Sequence, residues 1–239
     1  MHLSYLLKKC KLLAEQIFYP QNCLNCETDD NDNPYLCTNC IDNIKIFDTL
    51  FCAICKARLP NNKKICHLNS PIICGSATFY EEAVINECIK MLKFKNIRIC
   101  SKPLSTLLER YLKNINLDIQ DYKWIPIPLS KERERQRGFN QSEEILLELS
   151  KKIGIKSQNI YKDALVRSRN TRPQTDFKNI NERKENVKNC FQINNNFQLL
   201  NSKIILIDDV RTSTSTLIEA ATCLKNAGVR KIIGLTIAS

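Results

Sequence analysis

Apolar positions recur every three to four residues along EEAVINECIKMLKF, where Val84, Ile85, Cys88, Ile89 and Leu92 share one face, and this spacing predicts an amphipathic helix. KPLSTLLERYL and SEEILLELSKKIG repeat the pattern and predict two more helices. The unbroken apolar run from Ile204 to Ile207 suits a strand buried on both faces, as in a parallel sheet. A helix is predicted next, from Leu217 to the neighbourhood of Ala227, and then a strand from Ile232 to Ala238, which together make a βαβ unit. WIPIP, Trp124 to Pro128, reads as a short strand whose prolines assign it to a sheet margin or to a strand end. The charged stretch SKERERQRGFN behind it reads as a loop. From Ala77 onward the chain is therefore expected to be α/β.

The N-terminal third has a different texture. Leu3, Leu6, Leu7, Leu13, Ile17 and Phe18 suit one face of an amphipathic helix, and Lys8, Lys9 and Lys11 interrupt the apolar run that a signal peptide needs. Between Cys23 and Cys74 apolar periodicity is scant, Asn, Asp and Pro are frequent, and eight of the thirteen cysteines are found there. A disulfide framework belongs to small secreted chains, and nothing here indicates secretion, so a cytoplasmic metal-binding module is expected. Composition divides the chain near Gly75, into a module over 1–75 and a second domain over 76–239.

The spacing of the cysteines carries the metal prediction. Cys23-x₂-Cys26 and Cys37-x₂-Cys40 are two CxxC turns, each of which puts two sulfurs on one ion, and the pair completes a tetrahedron of the kind zinc takes. Cys52-x₂-Cys55 and Cys66 begin a near-repeat of it. Position 69 holds Asn69, so the fourth ligand of this less regular site is Cys74 or His67. Cys74 is preferred, because adjacent side chains in an extended segment point apart. Cys10, Cys88, Cys100, Cys190 and Cys223 are scattered through apolar contexts and read as core residues.

Charge narrows the class of partner. No run of eighteen apolar residues is present, which excludes membrane insertion by a helix. The chain has 239 residues, 36 Lys and Arg against 25 Asp and Glu, and a formal net charge of +11. Eight thiolates on two Zn²⁺ would lower that by about 4 and leave the chain basic. An anionic partner, phosphate or nucleic acid, is implied.

IILIDDVRTSTST, Ile204 to Thr216, runs an apolar strand into two acids and then into a turn of hydroxyl side chains. Thr216 and Glu219 have capping-box spacing, so a helix N-terminus is expected just there. Such a turn favours phosphate through backbone N–H groups and the helix dipole, while Asp208 and Asp209 are placed to accept hydrogen bonds from a sugar diol. An ordinary acidic strand end followed by a capped helix accounts for the same stretch. KERERQR likewise alternates in sign, and a solvated loop or an i, i+4 paired helix start explains it without a ligand.

IILIDDVRTSTSTL resembles the 5-phosphoribosyl-1-pyrophosphate (PRPP) motif of type I phosphoribosyltransferases. IFYPQNCLNC, LCTNC, IKMLKF, IPIPLSKERERQRGFNQS and LVRSRNTRPQTDFKNINERKENVKNCF follow the order of one subgroup, the ComF family linked to DNA uptake in bacterial competence. The resemblance implies a double zinc ribbon followed by a type I phosphoribosyltransferase-like parallel sheet flanked by helices. It implies a PRPP site at Asp208, Asp209, Arg211, Thr212, Ser213, Thr214, Ser215 and Thr216. Arg133, Arg137 and Gly138 would form the pyrophosphate loop, and Arg167, Thr171, Gln174, Arg183 and Asn186 a covering segment. Magnesium would accompany PRPP. The family pattern reads Asp-Asp-Val-x-Thr-Thr-Gly-x-Thr, and here Ser213 replaces the second threonine and Thr214 the glycine. A β-branched residue in the left-handed region costs about 1–2 kcal/mol, so a reshaped turn is expected. Two functions follow. One is a DNA-uptake factor that engages single-stranded DNA, alone or with competence or DNA-processing proteins. The other is a phosphoribosyltransferase acting on an unidentified small acceptor.

Overall fold

Strands β1 (Phe51–Cys52), β2 (Ile73–Thr78), β3 (Tyr122–Pro126), β6 (Lys203–Val210) and β7 (Lys231–Ala238) form one sheet, in the spatial order β1-β2-β7-β6-β3. Strands β4 (Leu165–Arg167) and β5 (Phe191–Ile193) make a separate antiparallel pair. The helices are α1 (Thr38–Asp42), α2 (Ala83–Phe94), α3 (Ser101–Asn114), α4 (Lys131–Arg137), α5 (Gln141–Ile153), α6 (Ile180–Val187) and α7 (Ser215–Asn226). These come from a computed structural model that describes residues 21–63, 66–170, 179–211 and 214–239. The predicted helix before residue 20, and Thr171, Gln174, Thr212 and Ser213 of the expected site, lie outside the described residues.

The apolar run that suggested a strand buried on both faces behaves as one. Ile205 and Ile207 of β6 enter one core and Ile204 and Leu206 enter the other, as the two-residue period of a strand requires. Helices α2, α3 and α5 supply the first core with Ile85, Leu92, Leu104, Leu108, Ile145 and Leu149. Helix α7 closes the second with Leu217, Ala220, Ala221 and Leu224, next to Leu165 and Phe191 of the β4–β5 pair. Strands β2, β7, β6 and β3 are mutually parallel, with Ile205 opposite both Ile233 and Trp124. β3 is the outer strand, which is where its proline-rich sequence assigned it. The architecture is α/β, with a mostly parallel central sheet flanked by helices and a cysteine-rich ribbon at its N-terminal side.

The compositional boundary at Gly75 falls inside β2, so the ribbon enters the sheet without a linker. β1, which carries Cys52, pairs antiparallel with β2 and sets Phe51 opposite Cys74. Gly75 is required there, since a Cβ would meet the Tyr111 ring at 2.8 Å and Leu50 at 2.9 Å. Tyr111 in turn donates a 2.8 Å hydrogen bond to the Thr49 carbonyl and ties α3 to the ribbon. KERERQR is helical rather than a loop: the Ser130 hydroxyl caps it at its N-terminus and Gly138 ends it at φ 70°, a conformation glycine adopts without strain.

Candidate functional site

The two cysteine clusters are built from matching turns. After each of Cys26 and Cys55 the next residue, Glu27 or Lys56, has φ 62° and returns its N–H to the carbonyl of the first cysteine, Cys23 or Cys52, at 2.9 Å. Cys23, Cys26, Cys37 and Cys40 bring their sulfurs within 4.8 Å of one another, and the Cys26 and Cys37 sulfurs stand 3.5 Å apart. Hydrogen bonding with Thr28 holds the Cys26 thiol down at about 6, whereas burial, reinforced by neighbouring thiols, pushes Cys37 up to about 12. Four sulfurs this close do not all ionise unless a cation joins them, and soft thiolates in tetrahedral reach suit zinc.

The second cluster corrects the predicted ligand set. Cys52, Cys55 and Cys66 converge with His67, whose Nδ1 lies 3.1 Å from the Cys66 sulfur and 3.4 Å from that of Cys52. Cys74 is instead fully buried in β2 within the second core, and burial pushes its thiol up to about 12, so it stays protonated. The prediction assumed an extended segment. Cys66 lies in a bend, and the Ser70 N–H closes a turn onto the His67 carbonyl at 2.9 Å, so adjacent side chains converge. Both clusters fit a structural zinc ion.

The second feature is a cavity of about 330 Å³ at the carboxyl end of β6. Among the described residues its walls carry five cations, Lys93, Arg133, Arg137, Arg167 and Arg211, against two carboxylates, Asp208 and Asp209. The segment RGFNQS explains much of its shape. Asn140 caps α5 by accepting from the Ser142 N–H at 3.0 Å, and its amide donates to the Ile127 carbonyl at 3.0 Å, fixing α5 to the end of β3. The Ser142 hydroxyl then donates to Asp208 at 3.1 Å, and Gln141 accepts from Arg137 at 2.8 Å. Because α4 is a helix, Arg133 and Arg137 are one turn apart and both reach the cavity.

Among the described residues, cations outnumber carboxylates in this cavity. Burial works against the charge on Arg137, and the neighbouring Arg133 adds to the penalty. Burial also lowers Lys93 to about 8, with Arg137 and Arg133 contributing while Asp208 pulls the other way. Asp208 is raised to about 6 by its own burial, against Lys93, the Ser142 hydroxyl, Arg167 and Arg137. Asp209, 4% exposed, is ion-paired with Lys93 at 2.5 Å. An anionic ligand would relieve the crowded cations without disturbing the fold.

Of the expected site residues, the structure brings Asp208, Asp209, Arg211, Thr214, Thr216, Arg133, Arg137 and Arg167 to the cavity wall. Ser215 is the buried first residue of α7, Gly138 the end of α4, and Arg183 and Asn186 lie on α6, outside the cavity lining. The capping box does not form. α7 starts at Ser215, Thr216 is already inside the helix, and Glu219 accepts instead from the Asn189 N–H at 2.6 Å. Lys93 and Phe94 escaped the sequence reading of the cavity. Phe94 ends α2 71% exposed with the Arg137 guanidinium 5.5 Å from its ring centre, and no periodic pattern marks a residue that leaves its helix's apolar face. Phe139 is buried in the core under Arg98.

Comparison with known proteins bears on the cysteine clusters and on the relatives of the chain. Residues 14–68 match the family model described as a double zinc ribbon domain, a span that includes His67 and stops short of Cys74. The chain is 26% identical to competence protein F of Haemophilus influenzae over 83% of its own length and 94% of that protein's. It is 29% identical to DNA utilization protein YhgH of Escherichia coli O6:H1 over 62% of its length, and it spans 64% of that relative. Among the described residues no helix is long and apolar enough to cross a membrane.

Proposed function

We propose that this chain, a member of the ComF family, binds PRPP in the cavity at the end of β6 and acts in DNA uptake, handling incoming single-stranded DNA in the cytoplasm. The observation that carries the PRPP reading is the meeting of two acids and five cations around one cavity at a strand's carboxyl end. Asp208 and Asp209 accept from the ribose hydroxyls. Arg133, Arg137 and Arg167 take the pyrophosphate, for which guanidinium forks are suited. The 5-phosphate sits at the α7 turn, where backbone N–H groups and the helix dipole favour an anion. Magnesium accompanying PRPP would neutralise part of the pyrophosphate charge. Zinc held by Cys23, Cys26, Cys37 and Cys40, and by Cys52, Cys55, Cys66 and His67, would supply folding energy. The DNA-uptake role rests on the likeness to a competence protein and a DNA utilization protein, together with the chain's basic charge.

One observation favours the transferase reading as well. Phe94 presents an exposed ring beside the cationic wall, a surface on which a planar acceptor would stack. Anisotropy of a labelled oligonucleotide at several salt concentrations, with and without saturating PRPP, tests the combined function. The expected result is salt-sensitive binding whose logarithm falls with log salt at about −0.7 per phosphate neutralised. Arg133→Ala/Arg137→Ala should lose PRPP and largely keep DNA. Wild-type protein that leaves the oligonucleotide free at low salt would end the direct DNA role, and pyrophosphate release with a small acceptor alone would favour transfer.

A further inference from the structure

Arg211 and Thr214, before the start of α7, both meet the second cysteine knuckle. Thr214 has φ 58°, in the left-handed region that is strained for a β-branched residue. Its hydroxyl donates to the Ala53 carbonyl at 3.0 Å, in a buried contact. Ala53 lies between Cys52 and Cys55, in the turn that positions two ligands of the second cluster. On the other side, the Arg211 guanidinium stacks 4.0 Å from the ring centre of Phe51, the residue before Cys52. β1, which contains Phe51 and Cys52, is itself a strand of the main sheet. Among the described residues, Thr214 and Arg211 thus meet the knuckle directly, through a buried hydrogen bond and a stacked pair.

We infer that Thr214 is a positioning residue that couples the second zinc site to the phosphate turn through the Ala53 carbonyl. The inference rests on the PRPP reading only for which ligand reports the coupling. With zinc bound, the knuckle holds the Ala53 carbonyl in place, and the hydrogen bond offsets the strain at Thr214. Without it, nothing joins the knuckle's sulfurs, the Ala53 carbonyl is free to move, and the hold on Thr214 is lost. Coupling of this kind is reciprocal, so a ligand that needs the ordered turn must also retain the zinc.

Zinc release to a chromophoric chelator from full-length, metal-loaded protein tests this, and the phase missing in His67→Ala identifies the second site. Thr214→Val, which keeps the branching and loses the hydroxyl, should accelerate that phase by roughly threefold to tenfold, the worth of one net hydrogen bond. Thr214→Ser should release like the wild type. Thr214→Gly, which fits the backbone without strain, should behave like Thr214→Val and guards against a variant that fails to fold. The phase from the Cys23–Cys40 site should not change. Saturating PRPP should slow the second-site phase in wild type and leave it unaltered in Thr214→Val. Equal ligand-free rates in wild type, Thr214→Val and Thr214→Gly would overturn the coupling whatever PRPP does. Faster ligand-free release in Thr214→Val, in a protein whose wild type ignores PRPP, would uphold the coupling and refute the PRPP reading alone.

Discussion

Asp208 keeps a carboxylate where the fold would prefer a neutral group. Its folded pKa of about 6 lies above the ordinary 3.8, so between those values the native state holds a proton that the unfolded chain has lost. The associated stability is present below pH 3.8 and is lost as the pH rises through about 6. Asp208→Asn should therefore raise the melting temperature at pH 8, by the equivalent of roughly 1–3 kcal/mol, and the gain should vanish near pH 4. Paired melting curves at the two pH values check it, and an equal shift at both would locate the effect in packing rather than charge. Lys93 and Asp209 make the complementary case. Lys93→Met leaves a buried carboxylate unpaired and should cost about 3–5 kcal/mol in urea unfolding, with Asp209→Asn in the same chain recovering much of it. A cost below about 1 kcal/mol, typical of solvent-screened pairs, would contradict the buried placement.

Helix α5 carries the site through its cap. Asn140 accepts from the Ser142 N–H and donates to the Ile127 carbonyl, so Asn140→Ala loses both and should destabilise the protein by about 1–3 kcal/mol. Asn140→Asp keeps the cap and loses the donor, and its unfolding midpoint should fall between the two. The elements differ in how legible they were. β6, β7, α2, α3 and α5 follow from local period alone, because each buries a face that its own residues define. The charges of α4 give no apolar face, so its sequence suits a solvated loop as well as a paired helix start, and the caps Ser130 and Gly138 are the local sign of the helix. The Thr216 box failed because Glu219 finds a tertiary partner in Asn189. Asp208, Asp209, Arg133, Arg137 and Arg167 were legible from motif order, whereas Lys93 and Phe94 reach the cavity only through the way α2 crosses the sheet. His67 was passed over in favour of Cys74 because the bend at Cys66 is not encoded by ligand spacing.

For the whole molecule, β1 carries Cys52 into the main sheet, so the second cysteine cluster is built onto the sheet's edge. Elemental analysis of protein purified without added metal should give two zinc ions per chain, falling to one in His67→Ala and staying at two in Cys74→Ser. The reverse pattern would restore Cys74 as the ligand. The central claim, that the cavity at the end of β6 holds PRPP between acids and arginines, is tested most directly by calorimetric titration of PRPP with Mg²⁺ into wild type and Asp208→Ala/Asp209→Ala. Hydrogen bonds to charged groups contribute about 1.5–3 kcal/mol each, so the double variant should bind roughly tenfold to a few hundredfold more weakly. Equal affinity in the two proteins, or no heat with either, would contradict it.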